Sequence, residues 1–309
     1  MSTPWQNLRR AGRVARSDAV VVQDEEGDLT LTVRWPEERA PCGVVVFCHG
    51  LGSSRAGYGG LATVWAAHGY VVIQPTFPDA IHRVAAQYPE AGRDPGNWMH
   101  DPALRALMHG ILHDPAYWLH RTRIVRRVMD GLADILRQTS GEAEVPCVIA
   151  GHSFGAHTAQ LLAGAEIDLP GEGPRRFRDR RFGAAILLSG QGRDQQGLRE
   201  RSWDGITCPV LTVTGTKDGG AKGQDWHWKC EPYDLSPPGG QYLLVLEGAD
   251  HFLGGFDAEE PEATAPQQAL RAATLAFLDG YLKRDAAARS WLALVEDRIG
   301  EVPVLFRAK

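Results

Sequence analysis

Pro146-Cys147-Val148-Ile149-Ala150-Gly151-His152-Ser153-Phe154-Gly155-Ala156-His157-Thr158-Ala159-Gln160-Leu161-Leu162 decides the reading of this 309-residue chain. Pro146 to Ala150 is a short continuous apolar run of the kind that forms a strand buried on both faces. Phe154 to Ala165 has helical spacing and few breakers. Between them, Gly151-His152-Ser153-Phe154-Gly155 fits G-x-S-x-G. A serine at a strand-to-helix junction sits on a very tight turn with unfavourable backbone angles, and only glycine-sized neighbours at 151 and 155 let that turn close. The turn lifts the serine hydroxyl clear of the sheet, while the helix N-terminus supplies free N–H groups beneath developing negative charge.

The same alternation continues on both sides. Val20 to Val33 reads as a hairpin turning at Glu25-Glu26-Gly27-Asp28, and Val44 to Cys48 as a buried strand. Gly57 to His68 reads as a helix and Tyr70 to Gln74 as the next strand. Beyond Ser153 come strands at Ala184–Leu188, Pro209–Thr214 and Tyr242–Leu246, and a long helix at Pro266–Leu282. His120–Gln138 reads as an amphipathic helix and Asp285–Arg298 as a smaller C-terminal one. Strands alternating with helices imply a mostly parallel central sheet with helices on both faces, in one α/β domain over residues 1–309. From Asp79 to about Tyr117 the periodicity breaks down, with Pro89, Pro95, Pro102 and Pro115 punctuating it. Longer than an ordinary connection, 79–117 reads as an insertion over the active-site edge of the sheet.

A serine hydroxyl is a poor nucleophile at neutral pH and needs a general base. Of eleven histidines, His251 stands just past the last predicted strand, in Glu247-Gly248-Ala249-Asp250-His251-Phe252. In a parallel sheet, the loops after the strand C-termini share one edge, where ligands bind. His152 adjoins the serine, but adjacent side chains at such a turn point apart, so it reads as a packing residue. His68, His120 and His157 fall on helices. Asp218 ends Val213-Thr214-Gly215-Thr216-Lys217-Asp218, after the preceding strand and on the same edge. It is the candidate to orient the imidazole, ahead of Asp250, Asp194, Asp225 and Glu231. An oxyanion needs two donors aimed at one point. Phe154 supplies one backbone N–H, and the turn His49-Gly50-Leu51-Gly52-Ser53-Ser54 supplies the other, assigned by position to Leu51.

Cys48-His49-Gly50-Leu51-Gly52-Ser53, Gly151-His152-Ser153-Phe154-Gly155, Gly215-Thr216-Lys217-Asp218 and Gly248-Ala249-Asp250-His251 together resemble the α/β-hydrolase superfamily. More narrowly, the chain is similar to bacterial serine esterases of the dienelactone-hydrolase-like and platelet-activating-factor-acetylhydrolase-like group. Ala66-Ala67-His68-Gly69-Tyr70-Val71-Val72 and Trp226-His227-Trp228-Lys229 add to the likeness, which covers about residues 20 to 283. It departs from dienelactone hydrolases proper in having serine at the elbow, and it lacks the His-Gly-Gly-Gly run of another esterase group. The resemblance implies the α/β-hydrolase fold and hydrolysis of a small or medium carboxylic ester through an acyl-enzyme on Ser153, with His251 and Asp218. A lactonase, thioesterase, amidase or acyltransferase would use the same machinery. An inactive binding module would typically lack a triad member, and all three are present here.

Composition is that of an ordinary globular protein, 43% hydrophobic and 23% charged, with a formal net charge of -5. Its charges are interspersed, which argues against a nucleic-acid face. The richest basic stretch, Arg175 to Arg181, reads as a solvated loop. No apolar run approaches the ~20 residues of a membrane span. Met1–Gln23 has no apolar signal region, and five cysteines suggest reduced thiols, so a cytoplasmic location is expected. His109 and His113 have the i,i+4 spacing of a ligand pair but no third partner, so neither metal nor other cofactor is expected. Trp226, Trp228 and Phe252 lie near Asp218 and His251 in sequence and are candidates to line an apolar substrate pocket.

Overall fold

Strands with no polar face to offer water belong in the interior of a sheet. In the computed structural model, which describes residues 12–89, 94–141, 144–220, 222–257, 263–295 and 297–309, they lie side by side at the centre. In chain order the strands are β1 (Val14–Val22), β2 (Leu29–Pro36), β3 (Gly43–Cys48), β4 (Tyr70–Pro75), β5 (Cys147–His152), β6 (Glu166–Leu169), β7 (Gly173–Arg176), β8 (Phe182–Leu188), β9 (Val210–Gly215), β10 (Gln241–Leu246), β11 (Arg298–Ile299) and β12 (Val302–Ala308). The helices are α1 (Gly59–Ala67), α2 (Ile81–Gln87), α3 (Pro102–His113), α4 (Pro115–Asp130), α5 (Leu132–Gln138), α6 (Phe154–Ala163), α7 (His227–Asp234), α8 (Ala265–Tyr281) and α9 (Ala286–Ala293).

Among the described residues, ten strands form one sheet in the order β1-β2-β4-β3-β5-β8-β9-β10-β12-β11. From β4 through β10 neighbours run parallel, as the sequence predicts, with antiparallel pairs at both margins. Period-two alternation sorts each central strand between two cores. Val44, Val46, Ile149 and Leu187 face α4, α5 and α6, meeting Val125, Ile135 and Leu161. Val45, Phe47, Val148 and Ile186 face α1 and α8, meeting Leu61, Trp65 and Phe277. Helices therefore cover both faces, and the architecture is the α/β-hydrolase fold.

Three expectations need correction. The described residues of 79–117 are largely helical, and two of the segment's prolines start α-helices instead of breaking the chain's regularity. Pro102 and Pro115 each occupy the first turn behind an aspartate cap, Asp101 accepting from the Ala103 and Leu104 N–H groups and Asp114 from that of Ala116. The helix expected over His120–Gln138 starts earlier and breaks at Gly131, where β1 comes so close that a Cβ would lie 2.7 Å from Val22. The C-terminal helix is short, because the chain turns at Gly300 and returns as β12 along β10. Its apolar side is shared, Leu292 being buried and Leu294 exposed.

Arg175 and Arg176 close a β6–β7 hairpin, and the rest of the Arg175–Arg181 stretch is loop. Glu172, Glu166 and Asp179 pair with its Arg175, Arg176 and Arg181 respectively. None of the five cysteines is bonded to another. Among the described residues, no helix is long and apolar enough to cross a membrane.

Candidate active site

The C-terminal ends of β3, β5, β8, β9 and β10 meet along one edge, and each contributes a turn there. At the end of β5, Ser153 has φ 53° and ψ -118°, a positive-φ conformation that L-residues avoid. The flanking glycines explain how it is tolerated. A Cβ on Gly151 would run into the Gly155 carbonyl, and one on Gly155 into the Cys48 carbonyl of β3.

Ser153 Oγ lies 3.0 Å from His251 Nε2, and His251 Nδ1 lies 2.8 Å from Asp218 Oδ1. Burial opposes charge on Asp218, but the His251 hydrogen bond, the Lys229 ammonium and Thr214 outweigh it and hold the carboxyl at about 2. A carboxylate can only accept, so Nδ1 carries the imidazole proton and Nε2 is free to accept one from Ser153. The Thr214 hydroxyl donates to the other carboxylate oxygen at 2.8 Å. The rival acids are engaged elsewhere. Asp250 caps the Phe252 N–H, Asp225 pairs with His227, Glu231 binds the Arg193 N–H, and Asp194 is exposed.

A second layer lies beneath this relay. The Gly50 N–H donates to Tyr58 Oη, whose hydroxyl faces His152 Nδ1 at 2.9 Å. His152 Nε2 in turn sits 2.8 Å from the His251 carbonyl oxygen. A carbonyl accepts, so Nε2 holds the hydrogen and Nδ1 accepts from Tyr58. Burial pushes His152 down to about 3, keeping it neutral. His152 does pack, its ring centroid 4.9 Å from that of His251, yet it also anchors the backbone of the candidate base. The Ser189 hydroxyl donates to the same carbonyl at 2.9 Å.

The turn after β3 is held as firmly. His49 Nε2 accepts from the Phe77 N–H at 3.0 Å and its Nδ1–H donates to the Gly50 carbonyl at 2.7 Å. The His49 carbonyl accepts from Arg121 Nη1 at 2.9 Å. Arg121 and Asp79 are both wholly buried and paired through two hydrogen bonds of 2.8 and 2.6 Å. The guanidinium lies between Phe77 and Phe154, 4.3 and 4.1 Å from their ring centroids. β3 pairs with β5 up to Cys48 and Gly151, so the Leu51 and Phe154 amides follow from adjacent strand ends. Neither amide donates a hydrogen bond among the described residues.

The inserted segment reaches this turn. Gly52 bridges Ala80, and a Cβ on Gly52 would stand 2.9 Å from the Trp98 indole. Phe252 is 47% exposed, its ring beside those of His251 and His152. Trp228 is buried with its indole N–H on the Arg193 carbonyl, and Trp226 stacks on His227 and packs against the Cys230, Tyr233, Leu243 and Val245 cluster. His109 and His113 share α3 with ring centroids 4.5 Å apart. Among the described residues, no group of three or more His, Cys, Asp or Glu stands together as a metal site.

Sequence reasoning does not reach Tyr58, Asp79, Arg121, Ser189 or Lys229. Only Lys229, which closes the Trp226-His227-Trp228-Lys229 stretch, has a nearby signal.

Residues 13–93 match the family model described as platelet-activating factor acetylhydrolase, isoform II. That stretch runs from β1 past the His49–Ser53 turn and α2, and it ends before Ser153, Asp218 and His251. No curated protein matches the chain. The chain thus has the α/β-hydrolase fold and, over residues 13–93, is similar to the platelet-activating factor acetylhydrolase family.

Proposed function

We propose that this protein is a serine carboxylic-ester hydrolase that works through an acyl-enzyme. The observation that carries the reading is the unbroken relay from Ser153 Oγ to His251 and Asp218, at 3.0 and 2.8 Å, on a serine held at φ 53°. Ser153 Oγ attacks the ester carbonyl while His251 Nε2 takes its proton, and Asp218 stabilises the resulting imidazolium. The oxyanion rests on the unengaged Leu51 and Phe154 amides. Collapse of the tetrahedral intermediate breaks the bond to the alcohol oxygen, which leaves with the His251 proton. Water, deprotonated by His251, then attacks the acyl carbonyl, and the acid departs as Ser153 regains its proton.

Phe252, half-exposed against the His251 ring, is the aromatic left open to a substrate acyl or alcohol group. Trp226 and Trp228 stand one layer back, as the packing of α7 behind Asp218.

A fluorophosphonate, mapped by peptide mass spectrometry, should leave a single adduct on Ser153. Ser153→Ala should abolish labelling and lower ester kcat/KM by about 10⁴- to 10⁶-fold with an unchanged circular dichroism spectrum. Near wild-type turnover in that variant defeats the assignment.

A further inference from the structure

Lys229 is 3% exposed, in the first turn of α7, and an ammonium group is costly to bury. A leucine or methionine would fill the same space without that cost. Its surroundings show what holds it. Nζ donates to the Ser189 carbonyl at 3.1 Å, stands 3.8 Å from Asp218 Oδ1 and lies 5.1 Å from the Trp228 ring centroid.

The Ser189 contact matters because that turn is itself strained. Ser189 follows β8 with φ 52°, a left-handed conformation that L-residues avoid. Three hydrogen bonds hold it there. Its N–H donates to the Val213 carbonyl at 2.8 Å, its carbonyl accepts from Lys229, and its hydroxyl donates to the His251 carbonyl. One ammonium group thus touches the acid of the relay and, through Ser189, the backbone of its base.

We propose that Lys229 is a positioning residue for the Ser153–His251–Asp218 relay, clamping Asp218 to the Ser189 turn and extending ester hydrolysis to lower pH by offsetting the Asp218 charge. This rests on the ester-hydrolase reading above. The charged and titratable groups around Lys229 are few. Asp218 faces it from the turn after β9, and His251 and His152 bring their rings in from the turns after β10 and β5. On α7, Glu231 is turned to Arg193 and Cys230 is a buried thiol. With Lys229 in place, the imidazole faces a carboxylate partly neutralised from behind. Without it, the full negative charge acts across the Nδ1 contact and favours the protonated, inactive form of the site.

Lys229→Met keeps the volume and deletes the charge. The acid limb of its kcat/KM profile, and of its fluorophosphonate labelling rate, should move up by about 0.5–1 pH unit. Lys229→Arg, which keeps a cation, should restore the wild-type limb. A Lys229→Met limb within about 0.2 pH unit of wild type, with activity lost only in proportion to folded protein, overturns the proposal.

Where neither variant folds, the native protein decides. A ¹⁵N-lysine spectrum should show a protected Lys229 ammonium signal that shifts between about pH 8 and 5, where imidazoles change charge, and a signal unmoved through that range overturns the proposal. A wild-type protein whose Ser153 takes no adduct defeats the ester-hydrolase reading alone, because the lysine signal is read without turnover.

Discussion

Ser153 shows how much a single residue's setting decides. Its positive-φ backbone, its 3.0 Å approach to His251 and the close glycine contacts are one arrangement, since a Cβ at 151 would push the turn off α6 and one at 155 would push it off β3. Asp218 is as narrowly specified, because as an acceptor it fixes the hydrogen on Nδ1 and leaves Nε2 basic. Asp218→Asn reverses this, because an amide N–H pointing at Nδ1 forces the hydrogen to Nε2. We expect kcat to fall by about 10³- to 10⁴-fold while KM changes little. The buried Lys229 loses its carboxylate in that variant, so the thermal midpoint should drop as well. Counting active sites by fluorophosphonate titration separates the two effects, and a kcat near wild type per titrated site would rule out the tautomer role. All three relay residues are legible in the sequence because each follows a recognisable apolar strand. The groups behind them are not. Lys229 and Ser189 act through contacts made across 40 residues of chain, and no local pattern marks such a pair.

At the scale of elements, α4 is tied to the turn after β3 by one buried cation. Arg121 spans from Asp79 to the His49 carbonyl and fills the gap between Phe77 and Phe154. Burial opposes the charge on Asp79, and the Arg121 charge and hydrogen bonds hold its carboxyl below the ordinary carboxylate range. Arg121→Met strands that carboxylate and should cost about 3–5 kcal/mol of stability. Asp79→Leu with Arg121→Met removes both charges and should recover most of the thermal midpoint. Turnover should stay low in the double variant, because the His49 carbonyl still lacks its anchor beside the Leu51 amide. Recovery of kcat along with stability would show that the pair merely fills the core. Elements are legible wherever periodicity speaks for itself, as in β3, β5 and α8. In 79–117 prolines hide the helices, because a proline that opens a helix looks like one that ends it unless the aspartate before it, as in Asp101-Pro102 and Asp114-Pro115, is weighed as a cap. β12 has a fainter mark, since Val302 and Val304 alternate with exposed neighbours over too few residues to stand out, as befits a half-buried strand near the sheet margin.

Across the whole molecule, three fully buried neutral histidines cluster at the edge that carries the candidate site. His49 follows β3, His152 ends β5 and His157 lies in the first turns of α6. Burial is the chief cause in each case, pushing His49 and His152 down to about 3 and His157 to about 4, from an ordinary 6.5. Their hydrogen bonds agree, since His49 Nε2 accepts from Phe77 and His152 Nδ1 from Tyr58. Below pH 6.5 the unfolded chain takes up protons at these rings and the folded one does not. Stability therefore rises with pH across this window and falls as pH drops from 6.5 toward 4. Each pH unit of that descent costs roughly 1.4 kcal/mol per histidine once the unfolded rings are protonated. By about pH 4.5, three such groups forfeit on the order of 8 kcal/mol, comparable with the 5–15 kcal/mol that holds a domain together. Asp218, already ionised down to about 2, contributes to the pH dependence only below about pH 4, where the unfolded aspartate begins to protonate and the folded one does not. Thermal midpoints followed by circular dichroism should be flat above about pH 7, and acid unfolding should be largely complete near pH 4–5. A midpoint unchanged from pH 7 to 4.5 would mean that these rings take up protons within the fold, and that the edge carrying Ser153 opens to water more readily than its hydrogen bonds imply.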